Sequence, residues 1–232
     1  ADVPVSLQAA ATYGLVCARG FSALPMLGVL LTRAEPEIRN AALRAARDLE
    51  GPEVSVALVQ VLSQLTPEMQ VQVAGVLQDR GDAGARAGLE RLAAADTPAV
   101  RLAAVRALAA LGDGTNVAPL LGALARGGVE AQAAGVTLRA LPGDGVDEAL
   151  LAALRSAAGT QRAVLADLVS DRGIAAAKPL LLHDAGGGDA TVARAAAQGL
   201  GGLADPADVP ALLGLLLDAQ SPEVARALEQ SV

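Results

Sequence analysis

The chain has 232 residues, 53% of them hydrophobic but only 1% aromatic, with one Tyr, one Phe and no Trp. A core of this size without large rings must be filled by Leu, Val and Ala, which indicates closely packed helices. The net charge is −7, and the acidic excess lies in residues 127–232, where 7 Lys and Arg stand against 13 acids. This balance disfavours sequence-independent binding to phosphate backbones, which needs clustered basic residues.

The helices that the sequence predicts repeat every 31 residues. Proline suits the first helical position, and a preceding Thr or Ser, as at Thr66, Thr97 and Ser221, can cap the first turn. From Val100 to Leu111 the apolar residues recur at i, i+3, i+4 and i+7, which is typical of a helix with one buried face. First helices are predicted to start at Val5, Pro36, Pro67, Pro98, Val129, Thr160, Thr191 and Pro222.

A turn and a second apolar helix follow each first helix, so that every repeat is a helical hairpin. One hairpin cannot bury both of its flanks, and it must stack on its neighbours. Asp residues recur at the turn, where their side chains can accept from the free N–H groups that begin the second helix. We predict one domain over 1–232, with repeats near 5–35, 36–66, 67–97, 98–128, 129–159, 160–190 and 191–221, and a half-repeat at 222–232.

Three motifs carry a resemblance to a known family: TPAVRLAAVRALAALGD at 97–113, EPEIRNAALRAARDL at 35–49 and ATVARAAAQGLGGLAD at 190–205. With this period and these motifs the chain resembles the HEAT-repeat proteins, and more closely the HEAT-like repeats first named from phycobilin lyases. The resemblance implies an all-α, right-handed α/α superhelix, a HEAT-like solenoid of about seven hairpins plus a terminal half-repeat.

The same resemblance implies a ladder between repeats. In the family, the Arg four residues into each first helix and the Asp of each turn commonly pair. Other repeats of this chain carry Gln70, Gln132, Ala163 or Ala225 at the arginine position. The matching residues are Arg39, Arg101 and Arg194, with Asp82, Asp113, Asp144 and Asp205.

Residues with catalytic or metal-binding chemistry are sparse. Cys17 and His183 are the single Cys and the single His, which excludes an intrachain disulfide and a transition-metal site built from them. His183 beside Asp184 could act as a general base, but no nucleophile is nearby, and the glycines that follow lack the Lys-Ser/Thr of a phosphate loop. We predict no catalytic residue, no cofactor and no metal, and hence no enzymatic activity.

The sequence shows no basic and apolar leader, and its longest apolar stretch, Phe21 to Leu31, is shorter than the ~18 residues of a membrane span. We therefore expect a cytoplasmic protein without a membrane span. The composition, rich in Ala and Gly with Arg over Lys, favours a segment of a larger bacterial protein.

In the family that this chain resembles, the second helices line a concave side where extended partners dock. We interpret the protein as a non-enzymatic scaffold that binds another protein or a peptide and binds no nucleic acid. The partner is expected to be basic where it faces the acidic C-terminal half. The alternatives are bilin lyase or isomerase-like chromophore handling, and nucleic-acid binding. The candidate surface consists of Gln60, Gln64, Arg86, Glu90, Arg91, Arg126, Glu148, Arg155 and Lys178.

Overall fold

A computed structural model describes residues 3–219 and 221–230, and every regular element within these ranges is helical. The prediction of an all-α helical-repeat fold is therefore confirmed. Short 3-10 turns lie next to several helices. The α-helices are α1 (Val5–Arg19), α2 (Leu24–Leu31), α3 (Pro36–Asp48), α4 (Glu53–Val61), α5 (Pro67–Arg80), α6 (Arg86–Ala93), α7 (Pro98–Leu111), α8 (Val117–Ala125), α9 (Gly128–Ala140), α10 (Val146–Ser156), α11 (Gly159–Asp171), α12 (Lys178–Ala185), α13 (Ala190–Leu203), α14 (Val209–Asp218) and α15 (Pro222–Glu229).

The odd-numbered helices are the first helices of the predicted repeats. Helices α1, α3, α5, α7 and α15 begin at the predicted residue, and α9, α11 and α13 begin one residue earlier. The three early helices have no proline at the predicted start, so nothing fixes their first residue there. The last two residues of the predicted half-repeat 222–232, and both ends of the predicted domain 1–232, lie outside the described residues. The single domain and the number of repeats stay predictions.

The chain groups into two compact units. The first contains residues 1–112 and 126–142, and the second contains residues 113–125 and 143–232. In the first unit α1, α3, α5, α7 and α9 pack in sequence, with α2 against α4 and α4 against α6. In the second unit α11 packs on α13 and α13 on α15, with α8 against α10 and α12 against α14.

The core consists of aliphatic side chains, as the composition predicts. The largest fully buried side chains are all leucines, among them Leu58, Leu108 and Leu165. An Ala or Gly recurs midway along most of the first helices, where it lets neighbouring helices approach. Ala42, Ala104 and Ala197, for example, are completely buried at this position.

One stretch near the N-terminus, Val5–Leu31, is long and apolar enough to cross a membrane by length and composition alone. This corrects the expectation that no stretch reaches that length. The stretch is not one straight helix. After α1 comes a 3-10 turn at Gly20–Ala23, whose first residue, Gly20, has a φ of 54°. The 15 residues of α1 alone extend about 22 Å, which is less than the ~30 Å of a hydrocarbon core.

The predicted Arg–Asp ladder is wrong for all three of its arginines. Nη1 of Arg39 donates to the carbonyls of Arg33 and Ala34, both at 2.7 Å. Nη1 of Arg101 donates in the same way to residues 95 and 96, at 2.9 and 2.8 Å, and its Nε donates to Glu130 at 3.1 Å. These two arginines therefore fold back onto carbonyls that end the preceding repeat.

The other repeats vary this arrangement. Arg194 bonds only to Gln198, four residues further along α13, in the part of the chain described. In the sixth repeat, 160–190, the arginine lies one residue before the expected position, as Arg162, and α11 also starts one residue early. Nη1 of Arg162 reaches the carbonyls of Leu154 and Ala157, and its Nε donates to Asp184 at 2.7 Å. Sequence reasoning missed it by looking at Ala163.

The turn aspartates do connect repeats, but through the start of the preceding second helix. Ser55 Oγ donates to Asp82 at 2.6 Å, and Lys178 Nζ donates to Asp205 at 2.8 Å. In both cases the partners are 27 residues apart. The predicted capping role of the turn Asp is also confirmed at Asp113 and Asp205, whose side chains accept from the N–H groups of Thr115 and Ala207.

We call the first of these connections the Arg80 contact, formed by Ser55, Arg80 and Asp82. Nε of Arg80 lies 3.0 Å from both Ser55 Oγ and Asp82 Oδ2, and Nη1 and Nη2 donate to the carbonyls of Ala46 and Gly51 at 2.7 and 2.6 Å. The Arg80 side chain is only 6% exposed. A cation so buried is stable only because every direction around it offers an acceptor.

The Lys178 contact, formed by Lys178, Asp205 and Asp208, has a different chemistry. Nζ lies 2.8 Å from a carboxylate oxygen of each aspartate. Hydrogen bonds from Lys178 lower the pKa of both carboxyls, and hydrogen bonds to Asp205 and Asp208 raise the pKa of Lys178. The contact is therefore a small charge network at the surface.

The Gly114 contact uses backbone alone. The N–H of Gly114 donates to the carbonyl of Asp144 at 2.9 Å, at the turn of the next repeat. A Cβ on Gly114 would lie 2.4 Å from the carbonyl oxygen of Gly145, so only glycine permits this approach. Gly145 itself has a φ of 74°, in the left-handed region that glycine adopts without strain. The predicted ladder residue Asp144 thus contributes its carbonyl oxygen.

Candidate binding surface on the second helices

An open groove of about 680 Å³ lies between the second helices of the first two repeats. Helices α2 and α4 approach closely at Gly28, where an added Cβ would lie only 2.8 Å from Val61 Cγ1. Val56 is 44% exposed in it, as several valines on other helices also are, and the groove places it beside Leu24 and Val61. The groove is lined by Leu24, Pro25, Pro52, Glu53, Val56, Ala57, Gln60, Val61 and Gln64.

Two predicted surface residues, Gln60 and Gln64, line this groove. Both are exposed, and their side chains bond to no other residue in the described ranges. Each carboxamide offers donors and an acceptor. Glu53, in the first turn of α4, brings the only charge in the lining, and it is likewise unpaired within the described part of the chain. We refer to these nine lining residues as the α2–α4 groove.

Two of the predicted surface residues hold the structure together instead of facing solvent freely. Arg86 is half-buried, and its Nε donates to the carbonyl of Leu111 at 3.0 Å. The Lys178 side chain is 17% exposed and belongs to the Lys178 contact. These residues are committed to neighbouring repeats, so we remove them from the candidate surface as a correction to the sequence interpretation.

Arg91 and Arg126 are exposed but engaged. Nη2 of Arg91 donates to the carbonyl of Val59 at 3.4 Å, and the Arg126 guanidinium pairs with Glu130. Burial raises the pKa of Glu130, but hydrogen bonds from Arg126 and Arg101 outweigh this effect and leave the pKa below its ordinary value. Arg126 therefore serves the first unit as half of an ion pair.

The last three predicted residues lie away from the groove lining. Glu90, on α6, is half-buried and has an interaction partner. Glu148 and Arg155, on α10 of the second unit, are exposed, and their side chains pair with no residue that the structure describes. The structure thus brings only Gln60 and Gln64 of the nine predicted residues into the groove.

Histidine chemistry has no support from the geometry. A cleft of about 450 Å³ in the second unit is lined in part by Arg162, His183 and Asp184. The Asp184 carboxylate is buried and accepts from Arg162, while His183 is exposed at the end of α12. The carboxylate that could orient the imidazole is thus used elsewhere. No group of three or more His, Cys, Asp or Glu in the described ranges could hold a metal ion.

The apolar part of the groove was missed by sequence reasoning. That reasoning assigned apolar residues to the core and considered only polar residues for the surface. Val56 does not fit this assignment, because it is apolar but exposed. It lies next to Val54 and Leu58, which are the buried residues of α4. A valine on α4 outside the buried stripe was the sequence signal that could have revealed the apolar lining of the groove.

Comparison with protein-family models and with curated proteins gave no match. Among solved structures the chain is similar to human deoxyhypusine hydroxylase in complex with glycerol, at 20% identity over 94% of this chain and 96% of that one, with a TM-score of 0.39. It is also similar to the complex of CpcE and CpcF of phycocyanin lyase from Nostoc, at 19% identity over 90% and 93% of the two chains, with a TM-score of 0.44.

Proposed function

We propose that the protein is a non-enzymatic binding module whose α2–α4 groove receives a segment of another protein. The observation that carries this proposal is the exposed apolar lining of the groove, with Val56 44% exposed. Apolar surface of this kind on a water-soluble fold favours burial against a partner. The unpaired amides of Gln60 and Gln64 supply the polar groups that orient a bound chain.

The composition of the groove supports this function over the two alternatives. Its lining residues, all within the described ranges, include no aromatic ring and no Lys or Arg. Bilin binding would use an aromatic wall, and nucleic-acid binding would use basic and aromatic side chains. Absorbance after incubation with a bilin, and a gel shift at low salt, test these alternatives directly.

Photo-crosslinking at Val56 tests the proposal. A photoreactive phenylalanine at this position should crosslink to a distinct protein in the source cells. The same residue at Val136, which is 65% exposed on the first helix α9, should not give that product. The crosslinked protein, once purified, should bind the wild-type chain and lose at least about tenfold in affinity toward Val56→Glu, but not toward Val136→Glu. Equal binding to both variants would contradict the proposal.

A further inference from the structure

Three arginines at the start of first helices, Arg39, Arg101 and Arg162, are anchored in the same way. Nη1 of each donates to two carbonyls at the end of the preceding repeat. Because the guanidinium is a rigid plane, this anchor also fixes the direction of its Nε–H.

In two of the three, Nε binds a carboxylate of the chain itself. Nε of Arg101 donates to Glu130 at 3.1 Å, and Nε of Arg162 donates to Asp184 at 2.7 Å. The Glu130 and Asp184 side chains are only 11% and 6% exposed. Such charge-assisted hydrogen bonds are about twice as strong as neutral ones. The anchored arginine is therefore a group that binds carboxylates.

Arg39 has the same anchor but no carboxylate on its Nε. Within the described ranges neither its Nε nor its Nη2 bonds to another residue. Glu68 lies two repeats before Glu130, just as Arg39 lies two repeats before Arg101. Glu68 is exposed, however, and hydrogen bonds from its own N–H and from the Thr66 hydroxyl lower its pKa. Its carboxylate is therefore held at the start of α5.

Two differences between the repeats explain this change. Nε of Arg126 also donates to Glu130, at 2.7 Å, but the equivalent residue two repeats earlier is Gln64, which carries no charge. The hydroxyl that holds the earlier carboxylate belongs to Thr66, and the equivalent residue in the later repeat is Gly128. The earlier repeat has thus lost one attraction toward its anchored arginine and gained a competing one.

Arg39 lines an open cleft of about 330 Å³ in the first unit, which we call the Arg39 cleft. Its lining also includes Gln64, Thr66, Glu68 and Gln72. The side chains of Gln64 and Gln72 are exposed and bond to no residue that the structure describes. Their N–H groups can donate to a second carboxylate oxygen. The cleft therefore offers a fixed guanidinium and neutral donors to a carboxylate that enters it.

Glu35 is the other carboxylate near Arg39, and it is engaged elsewhere. Its two oxygens accept from Nε and Nη2 of Arg33, at 3.1 and 3.0 Å. The hydrogen bond from Arg33 is the main cause that lowers the pKa of Glu35, and the charge of Arg39 has the smallest effect. Since the pair of Arg33 and Glu35 is neutral as a whole, it repels an approaching carboxylate little.

We propose that the Arg39 cleft is a binding site for a carboxylate from outside the chain. The ligand takes on Nε of Arg39 the place that Glu130 takes on Arg101. Its source is a small aliphatic acid or the acidic side chain of a protein, which share this chemistry. The inference does not depend on the proposed function, although Gln64 lines both the cleft and the α2–α4 groove.

Proton–nitrogen NMR of the arginine Nε–H groups in the full chain tests the site. The peaks of Arg101 and Arg162 mark the carboxylate-bound position, and the Arg39 peak should lie away from them. Sodium propionate, which reproduces a glutamate side chain, should move the Arg39 peak toward that position, and its neutral isostere propionamide should not. Arg39 should saturate at a concentration at least about tenfold lower than the exposed Arg106.

A peptide distinguishes the two sources of the carboxylate. The peptide Gly-Gly-Glu-Gly-Gly, acetylated and amidated, carries the same carboxylate on a protein backbone, and its Gln analogue is the control. Binding at least about threefold tighter than that of propionate assigns the site to an acidic protein segment. Equal or weaker binding assigns it to a small acid, and both results support the carboxylate site.

Two protein variants exchange the properties of the two repeats. Gln64→Arg with Thr66→Gly reproduces the later repeat, so Glu68 should move onto the anchored arginine and propionate should no longer shift its peak. Glu130→Ala should leave Nε of Arg101 without its carboxylate and give the chain a second propionate site. Thermal unfolding checks that both variants are folded.

The inference is overturned if propionamide acts like propionate, or if Arg39 saturates no earlier than Arg106. It is also overturned if the Arg39 peak already lies at the bound position in the free protein. That result would show that the chain fills the site itself, and Glu35→Gln or Glu68→Gln would then displace the peak and identify the residue responsible.

Discussion

The Arg80 contact and the Lys178 contact both join neighbouring repeats, but the cation lies on a first helix in one and on a second helix in the other. Each joins the start of a second helix to the turn aspartate of the next repeat. In the Arg80 contact the second helix offers a neutral hydroxyl, Ser55, and a buried guanidinium from the first helix supplies the charge. In the Lys178 contact the second helix carries the cation itself, and two aspartates near the surface surround it.

This difference shows what a helical-repeat chain can vary without losing its fold. A buried cation is costly to bring out of water, and it is stable only with a full set of acceptors, which makes the contact specific and sensitive to any deletion. A surface network costs less to form, but salt screens it and pH titrates it. The Gly114 contact is a third solution, in which no side chain takes part.

The largest effect is expected for Arg80→Met. The change leaves Asp82 without its guanidinium and removes the donors from the carbonyls of Ala46 and Gly51, so we expect a loss of about 3–5 kcal/mol in the free energy of unfolding. Urea unfolding followed by circular dichroism measures it. In the double variant with Asp82→Asn, part of the loss should be recovered, because no half-buried carboxylate is then left without its guanidinium. A loss below about 1 kcal/mol would show that Arg80 is not buried as described.

Gly114→Ala should break the backbone contact. The added Cβ would meet the Gly145 carbonyl, which cannot move like the end of a flexible side chain, and we expect a loss of about 1–3 kcal/mol by the same measurement. Gly75→Ala, in helix α5, is the control, since a Cβ there meets no atom within 4 Å and should stabilise the helix by about 0.5–1 kcal/mol. Equal effects of the two substitutions would show that the Gly114 contact does not stabilise the fold.

Ser55→Ala should have a smaller effect than Arg80→Met. The serine is fully buried, donates to Asp82 and accepts from Arg80, but these two partners still bond to each other without it. We expect a loss of about 1 kcal/mol in the free energy of unfolding. A loss as large as that of Arg80→Met would mean that the hydroxyl, and not the cation, organises this contact.

The smallest effect is expected for Lys178→Met, and it should depend on pH. Folding lowers the pKa of Asp205 and Asp208 and raises that of Lys178. The stability from the aspartates is thus present above their unfolded pKa of ~3.9 and is lost as pH falls through the folded values. The stability from the lysine is present below its unfolded pKa of ~10.4 and is lost as pH rises through the folded value.

The difference in stability between wild type and Lys178→Met should therefore be largest between about pH 5 and pH 10 and shrink on both sides. It should also shrink in 1 M salt, whereas the effect of Arg80→Met should persist. Arg155→Met, which removes an exposed cation that has no described partner, is the control and should show neither dependence. A constant difference across pH would contradict the charge network.

The sequence predicts periodic features well because they depend on local chemistry. Proline at the first helical position and the apolar stripe place α3, α5 and α7 to the residue. The ladder could not be predicted in the same way, since the partner of Arg101 depends on which acceptor lies within reach across the packed helices, and that acceptor is Glu130. The groove depends on the approach of Gly28 to Val61, which no periodic pattern contains.

The backward-folded arginines also bear on where such a chain can be cut. Arg39 and Arg101 satisfy carbonyls at the end of the preceding repeat, and α2, α6 and α12 pack directly on the first helices that follow them. A segment that runs from a second helix into the next first helix therefore keeps the bonds that Arg39 or Arg101 makes to these carbonyls. Excised fragments or inserted repeats with boundaries after the first helix should keep these bonds, whereas boundaries at Pro36 or Pro98 would sever them.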